Sequence, residues 1–545
     1  MRNHSTGSLS KDARAAQEMR YREGRHYDVL IVGTGMAALS AAALLVRSGR
    51  RVCMLEQHDV PGGYAHTFQM GDYRFCAQVH YIWGCGPGER VRTFLGELGL
   101  ADEVGFERFD ASGYDHMVLP DRRRVPLPYG WENVARAVDA AYPGQYEPVR
   151  RFTRVLERLD HEVATFPDPV RWYHWFLAPR YLGLVKYRNA TLSQVFDECG
   201  LSREARAVLA ANTGNFMCPP KDLSIFAYNG LMSGYNRGAY YPTHHFGGLV
   251  ERIARVITDE PGSHIYYQTE VAAFDVEGDR VTGVTTRCGK TFTAPIVLCN
   301  MDPQAASRMI GLERFPREYR PALSYDYSLS AITVYLGLQG IDLREHGFGK
   351  HNIWYLDQWD VDRIWQEALA GDWSRPWMFL ASPTLHTGDP RNTPPGGQVL
   401  ELATGADYGM FRALKDSDTR GYLHLKNRIR DRLLDLAEEH FVPDLRRYIK
   451  VKVTGSPTTN EDFCGAPRGH AYAQALTPKN MGLGRLKAAT PWKNFYWCNA
   501  ASGYAGVNGT IGTGMQLYTD LTGDRLDDGS QILELAGDRR LPGAT

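Results

Sequence analysis

The sequence predicts an α/β protein with a Rossmann-like strand-helix-strand unit near its N-terminus. Three observations predict it. The apolar run Tyr27-Asp-Val-Leu-Ile-Val32 leads straight into a glycine turn, Gly33-Thr-Gly35-Met-Ala-Ala38. Met36, Leu39, Ser40, Ala43, Leu44 and Val46 then recur at helical spacing, with Ser48-Gly49 as a C-terminal stop. A second apolar run, Arg51-Val-Cys-Met-Leu55, ends on Glu56, 21 residues after Gly35.

Each part of that unit has a chemical reason. Gly33 makes the tight turn, and Gly35 lets backbone amides approach a pyrophosphate at the helix N-terminus, where unpaired N–H groups and the positive dipole end gather. Ala38 takes the third position, which must be small so that the helix can lie on the strand. Glu56 stands where a carboxylate accepts hydrogen bonds from ribose hydroxyls, and its charge disfavours a 2′-phosphate. The fingerprint alone fits NAD as readily as FAD.

With 545 residues the chain exceeds one ordinary core, so two or more structural units are expected. Lys plus Arg and Asp plus Glu number 62 each, giving no net charge and no sign of a nucleic-acid partner. Nine cysteines are scattered without a C-x-x-C pair or a metal-like Cys/His grouping, which reads as reduced thiols in a cytoplasmic protein with no metal site. Residues 1–25 form a polar tail without the apolar stretch of a secretory signal. No window reaches the ~18 apolar residues of a membrane span, so any membrane contact is expected to be peripheral.

Further along, the order Gly62-Gly63-Tyr64-Ala-His66-Thr67-Phe68, Gly71-Asp-Tyr-Arg-Phe75-Cys76-Ala-Gln78-Val-His80-Tyr81, Gly238-Ala-Tyr-Tyr241-Pro242, Thr269-Glu-Val271, Asn300-Met-Asp302-Pro303, Thr454-Gly-Ser-Pro457, Ala466-Pro-Arg468-Gly469 and Gly506-Val-Asn-Gly509 resembles the phytoene desaturase superfamily of flavoproteins. The likeness runs nearly the full length and is greatest to the retinol saturase and carotenoid isomerase branch. It implies a glutathione-reductase-like, Rossmann-like FAD-binding domain, discontinuous in sequence, with an inserted α+β substrate domain. The expected division is FAD-binding at 26–110, 241–310 and 451–525, substrate domain at 111–240 and 311–450, and a C-terminal tail at 526–545.

The same resemblance implies FAD as cofactor, held by Gly33, Gly35, Met36, Ala37, Ala38, Glu56, Gln57, Gly62, Gly63, Tyr64, His66, Thr67, Val271, Asn300, Asn499, Ser502, Gly506, Val507 and Asn508. Two departures stand out. Relatives carry an Asp for the ribityl chain where this chain reads Asn499-Ala500-Ala501-Ser502, so Asn499 or Ser502 would substitute with a neutral hydrogen bond. Relatives also carry Asp and Gly where Cys76 and Gln78 stand, and Cys76 reads either as a reactive thiol near the flavin or as a buried inert one.

Four residues are candidates for chemistry. His80, beside Tyr81, is the first for proton transfer, since imidazole changes charge near neutral pH; the other reading is a packed, hydrogen-bonded histidine. Arg468 and His470 lie in a turn-rich stretch that returns towards the flavin, and Arg468 reads equally as a carbonyl or ion-pair clamp. His244 and His245 are adjacent and would point apart in a strand, which argues against a shared metal.

Two aromatic stretches suit an apolar ligand. Arg171-Trp-Tyr-His-Trp-Phe to Arg188 mixes aromatics with basic residues, as a peripheral lipid contact or as a packed helix and loop. Trp354, Trp359, Trp365, Trp373 and Trp377 read as a pocket lining or as core. Together these readings predict an FAD-dependent oxidoreductase or isomerase acting on a carbon–carbon double bond of an apolar, polyene-like substrate. The alternatives are a flavin oxidase of another unsaturated or amine-bearing metabolite and a non-catalytic prenyl- or lipid-binding protein of the same fold.

Overall fold

The structure, a computed structural model, describes residues 26–166 and 179–526. A parallel sheet of five strands runs in the order His264–Tyr266, Val52–Leu55, Val29–Val32, Ile296–Cys299, Phe495–Trp497. Both faces of its central strands are covered, which is why they read as unbroken apolar runs. Val29 and Ile31 face the helix Met36–Arg47, while Leu30 and Val32 face a three-stranded antiparallel layer, Val271–Glu277, Arg280–Thr286 and Thr291–Thr293. The C-terminal helix Gly506–Thr522 lies along Met36–Arg47 with backbones in contact: a Cβ on Gly514 would sit 2.6 Å from the Ala37 carbonyl oxygen.

Val29–Val32 is flanked by Val52–Leu55 on one side and Ile296–Cys299 on the other, so the order of strand addition reverses there. At such a switch point the loops leaving the carboxyl ends diverge and open a crevice. Here those loops start at Gly33 and Asn300.

A second sheet, of seven strands, joins the two stretches expected to form the substrate unit. Its order is Ile449–Gly455, Ser330–Gln339, Gly397–Ala406, Met378–Ala381, Asn352–Tyr355, Asp115–Val118, Arg124–Leu127. Only Asn352–Tyr355 and Asp115–Val118 pair in parallel. The expected boundary at 450/451 falls inside Ile449–Gly455, whose pairing with Ser330–Gln339 carries this sheet on to Gly455. That at 240/241 falls inside the strand Ala239–Pro242.

Alternation along Gly397–Ala406 sorts its side chains. Leu400 and Leu402 pack against Leu433, Leu434, Leu436 and Ala437 of the amphipathic helix Thr419–His440. Val399, Glu401 and Ala403 face the other way: Val399 packs on Tyr73, Phe75 and Tyr335, Glu401 bonds His80, and Ala403 lines the cavity described below. Residues 171–178 of the aromatic and basic stretch lie outside the described residues. Beyond them the short helix Leu182–Tyr187 exposes Leu182 and Val185. Among the described residues no helix is long and apolar enough to cross a membrane.

Candidate functional site

The crevice at the switch point opens into a cavity of about 350 Å³. Its first part is backbone. Gly33 has φ +94° and Gly62 and Gly63 have φ +111° and +55°, left-handed values that glycine adopts without a Cβ clash. The Gly62 N–H donates to the Thr34 carbonyl at 3.0 Å, and a Cβ on Gly63 would lie 3.4 Å from the Gly35 Cα. The two glycine turns therefore touch backbone to backbone.

Two helix N-termini meet this wall, Met36–Arg47 and Gly506–Thr522. Neither has a side-chain cap or an acid in its first turn, so their bare N–H groups and positive dipole ends remain for an anion. Asn300 spans the turn: its Oδ1 accepts from Gly35 N–H at 2.8 Å and its Nδ2 donates to the Cys498 carbonyl at 2.5 Å. Arg90, 9% exposed on the same wall, donates to Asn508 Oδ1 at 3.2 Å, and Asn508 Nδ2 donates to the Trp83 carbonyl at 3.0 Å. A pyrophosphate-bearing dinucleotide fits this donor set, since it offers glycine approach, free amides and a guanidinium.

Glu56 stands at the end of its strand. Its Oε2 accepts from Thr34 N–H at 2.9 Å and from Thr34 Oγ1 at 2.5 Å, and its Oε1 accepts from His58 N–H at 2.8 Å. The carboxylate thus stiffens the very turn it follows.

The flavin end departs from expectation. Asn499 Oδ1 accepts from Ala501 and Ser502 N–H at 3.0 and 3.1 Å, and its Nδ2 donates to the Met301 carbonyl at 2.9 Å. Ser502 Oγ donates to the Trp497 and Asn499 carbonyls. Both side chains are engaged within their own loop, and what Asn499 to Ala501 present to the cavity is a loop edge pinned by buried Arg485, which donates to the Ala500 and Gly503 carbonyls.

His80 lies on the cavity wall with its ring 4.6 Å from Phe379. Its Nδ1 donates to Glu401 Oε2 at 2.8 Å, so Nε2 is the nitrogen left for other partners. Glu401 is fully buried, and burial raises its pKa, opposed by the His80 hydrogen bond. Tyr81 also lines the cavity; its hydroxyl accepts from Asn215 Nδ2 at 2.6 Å and donates to Asp115 Oδ2 at 3.2 Å. His470 lines it as well, stacked on Tyr327 at 5.0 Å, with Nδ1 accepting from Ala473 N–H and with burial lowering its pKa to about 4. It is therefore neutral near pH 7.

Other expected residues fall elsewhere. Arg468 is exposed at φ +60°, because the turn buries Gly469 against the Pro457 backbone and turns Arg468 outward; this corrects its candidacy for chemistry. Gln57, Val271, His66 and Thr67 do not line the cavity; His66 Nδ1 bonds the Gly63 carbonyl at 2.6 Å, and Thr67 opens on a separate cleft beside His244 and His245. Ala38 is wholly buried in helix packing. Tyr64 donates to the His470 carbonyl at 2.5 Å and tethers two cavity walls. Cys76 is fully buried, and burial pushes its thiol up to about 12, which excludes a thiolate near neutrality. Among the described residues no group of three His, Cys, Asp or Glu could hold a metal.

The far part of the cavity is aromatic, with Trp83, Phe216, Phe226, Trp354, Trp377 and Phe379 on its walls. Trp365 packs behind Trp377, ring centres 5.2 Å apart and planes tilted by 48°, whereas Trp373 is core. Glu401, Asp115 and Arg90 were not singled out from the sequence. Glu401 had a signal, a lone acid inside the apolar strand Val399-Leu-Glu-Leu-Ala.

The comparisons agree with this arrangement. The model of an NAD(P)-binding Rossmann-like domain matches residues 31–98. The all-trans-retinol 13,14-reductase of Danio rerio is 24% identical over 510 residues, 86% of this chain and 81% of that protein. The chloroplastic prolycopene isomerase of Daucus carota is 21% identical over 496 residues, 88% of this chain and 77% of that protein. In fold, the cyclohexylamine oxidase of Brevibacterium oxydans superimposes with a TM-score of 0.58 at 16% identity, covering 91% of this chain and 99% of that one.

Proposed function

We propose that this chain, similar over most of its length to all-trans-retinol 13,14-reductases and prolycopene isomerases, is an oxidoreductase or isomerase of the phytoene desaturase type that binds FAD and acts on a carbon–carbon double bond of an apolar conjugated substrate. The observation that carries the reading is continuity. One cavity is bounded by Gly35, Gly63 and Val507 and also by Trp354, Trp377 and Phe379, with His80 on its wall.

Gly33, Gly35, Gly62 and Gly63 would give backbone approach to a pyrophosphate, Glu56 would accept from a ribose hydroxyl, and the helix starting at Gly506 would offer its positive end to the bound cofactor. When bound, the flavin supplies two-electron exchange, which serves saturation, desaturation or isomerisation of a polyene alike. The chain's own residues do the rest. The aromatic walls orient an extended apolar molecule and exclude water. His80, oriented by Glu401, gives or takes a proton at Nε2. Domain division follows the same reading, with the parallel sheet holding FAD and the seven-stranded sheet walling the substrate.

Gel filtration after incubation with FAD tests the cofactor assignment. The protein is expected to retain the visible flavin bands, and added NAD should not displace them. A colourless protein that binds NAD instead would overturn the reading.

A further inference from the structure

The cavity wall carries a second ionisable system that this reading leaves unused. His80 and Tyr81 are consecutive and their side chains leave opposite sides of the chain, His80 to Glu401 and Tyr81 to Asp115. Asp115 opens the strand Asp115–Val118 and is fully buried. Its Oδ2 accepts from Tyr81 Oη at 3.2 Å and Asn212 Nδ2 at 3.3 Å, and its Oδ1 accepts from Asn352 Nδ2 at 3.5 Å.

The titratable groups facing Asp115 are the phenols of Tyr81, Tyr114, Tyr228 and Tyr235, and among the described residues it has no ion pair. An ionised carboxylate at such a place loses hydration without an opposite charge in return. Asp115 meets donors at both oxygens, which an amide with one oxygen and one NH2 would not match, and it is held there without a counter-charge. Tyr81 links it to the cavity: its hydroxyl lies between Asp115 and Asn215, and its ring is fixed on Tyr235 at 4.1 Å and 8°.

We propose that Asp115 is the proton reservoir of this cavity, exchanging its proton with the bound substrate through the Tyr81 hydroxyl. In the forward step a substrate carbon takes the Tyr81 hydroxyl proton, so a C–H bond forms as the phenolic O–H breaks. For this step Asp115 is protonated and its hydrogen bond with Tyr81 runs the other way, from carboxyl O–H to phenol oxygen, with the Tyr81 O–H turned to the cavity; the Tyr81 oxygen then takes the Asp115 proton, leaving a carboxylate that regains a proton from water after release. The electron pair of the new C–H bond comes from the substrate double bond, and the cationic carbon this leaves is discharged by losing a proton from its neighbour to His80 Nε2, so the double bond moves with no net change of oxidation state. Moving a double bond needs one group to give a proton and another to take one, and Asp115–Tyr81 and Glu401–His80 form such a pair on the same cavity. Burial pushes Asp115 up to about 7, so it holds a usable proton near neutrality, while burial and Asp115 itself hold the Tyr81 phenol far above its usual range and make it a conduit.

The proposal rests on the functional reading above, and its test separates the two. On the FAD-loaded protein, infrared difference spectra across pH should show a buried carboxyl band fading with a midpoint near 7, absent in Asp115→Asn. With a polyene substrate, turnover should fall as pH rises through that midpoint in the unmutated protein and in the residual activity of His80→Gln. Asp115→Asn should lose ~10²-fold and flatten the profile, and Asp115→Glu should restore the falling limb. Tyr81→Phe keeps the carboxyl band but should match the activity loss, and it carries the test if Asp115→Asn does not fold. An Asp115→Asn or Tyr81→Phe protein with an unaltered pH profile, or an Asp115 already ionised well below neutrality, would overturn the proposal alone. Unmutated protein with FAD bound and no turnover would overturn the functional reading.

Discussion

His80→Gln is expected to lower turnover of the FAD-loaded protein by ~10²- to 10⁴-fold, the usual contribution of a positioned acid or base, without changing FAD affinity. Glutamine keeps an N–H for Glu401 but offers no nitrogen that exchanges a proton. The strength of the expectation comes from Glu401. A carboxyl group buried to 0% exposure whose ion-pair partner among the described residues is an imidazole 2.8 Å away is costly to retain for packing alone. Glu401→Gln should therefore lose ~10- to 10²-fold, because the imidazole loses the charge that fixes its tautomer and direction. Stopped-flow rates with separately measured FAD binding check both. A His80→Gln protein of normal rate would remove His80 from the chemistry and return it to the packed reading.

Glu56→Ala is expected to raise the FAD dissociation constant by ~10- to 10²-fold, from the loss of charge-assisted hydrogen bonds worth about 1.5 to 3 kcal/mol. Two effects combine. The ribose hydroxyls lose their acceptor, and the Thr34 and His58 amides lose theirs, so the glycine turn is less well held before the cofactor arrives. Fluorescence titration with FAD measures the shift. Unaltered affinity would show that the carboxylate neither meets the ribose nor holds the turn ready for the cofactor.

The parallel sheet and its turn were legible because local chemistry dictates them: a strand buried on both faces is apolar throughout, and a pyrophosphate turn needs glycine at fixed places. The helix Met36–Arg47 follows from spacing in the same way. What sequence could not supply was long-range assembly. Glu401 meets His80 across 321 residues and Asp115 meets Tyr81 across 34, and neither separation leaves a periodic trace. Arg468 shows the converse error, since chain position near the flavin was legible but the left-handed turn that directs its side chain to solvent was not. The inward bonding of Asn499 and Ser502 was not legible for a related reason: a short polar loop satisfies its own backbone first.

The central claim is that one cavity brings FAD and an apolar polyene together. The most direct measurement is anaerobic incubation of the FAD-loaded protein with a conjugated polyene, with the flavin oxidised in one arm and reduced in the other, followed by mass analysis and chromatography of the product. The account predicts a product differing by two hydrogens or one of equal mass and altered elution. Polyene recovered unchanged from both arms would contradict it.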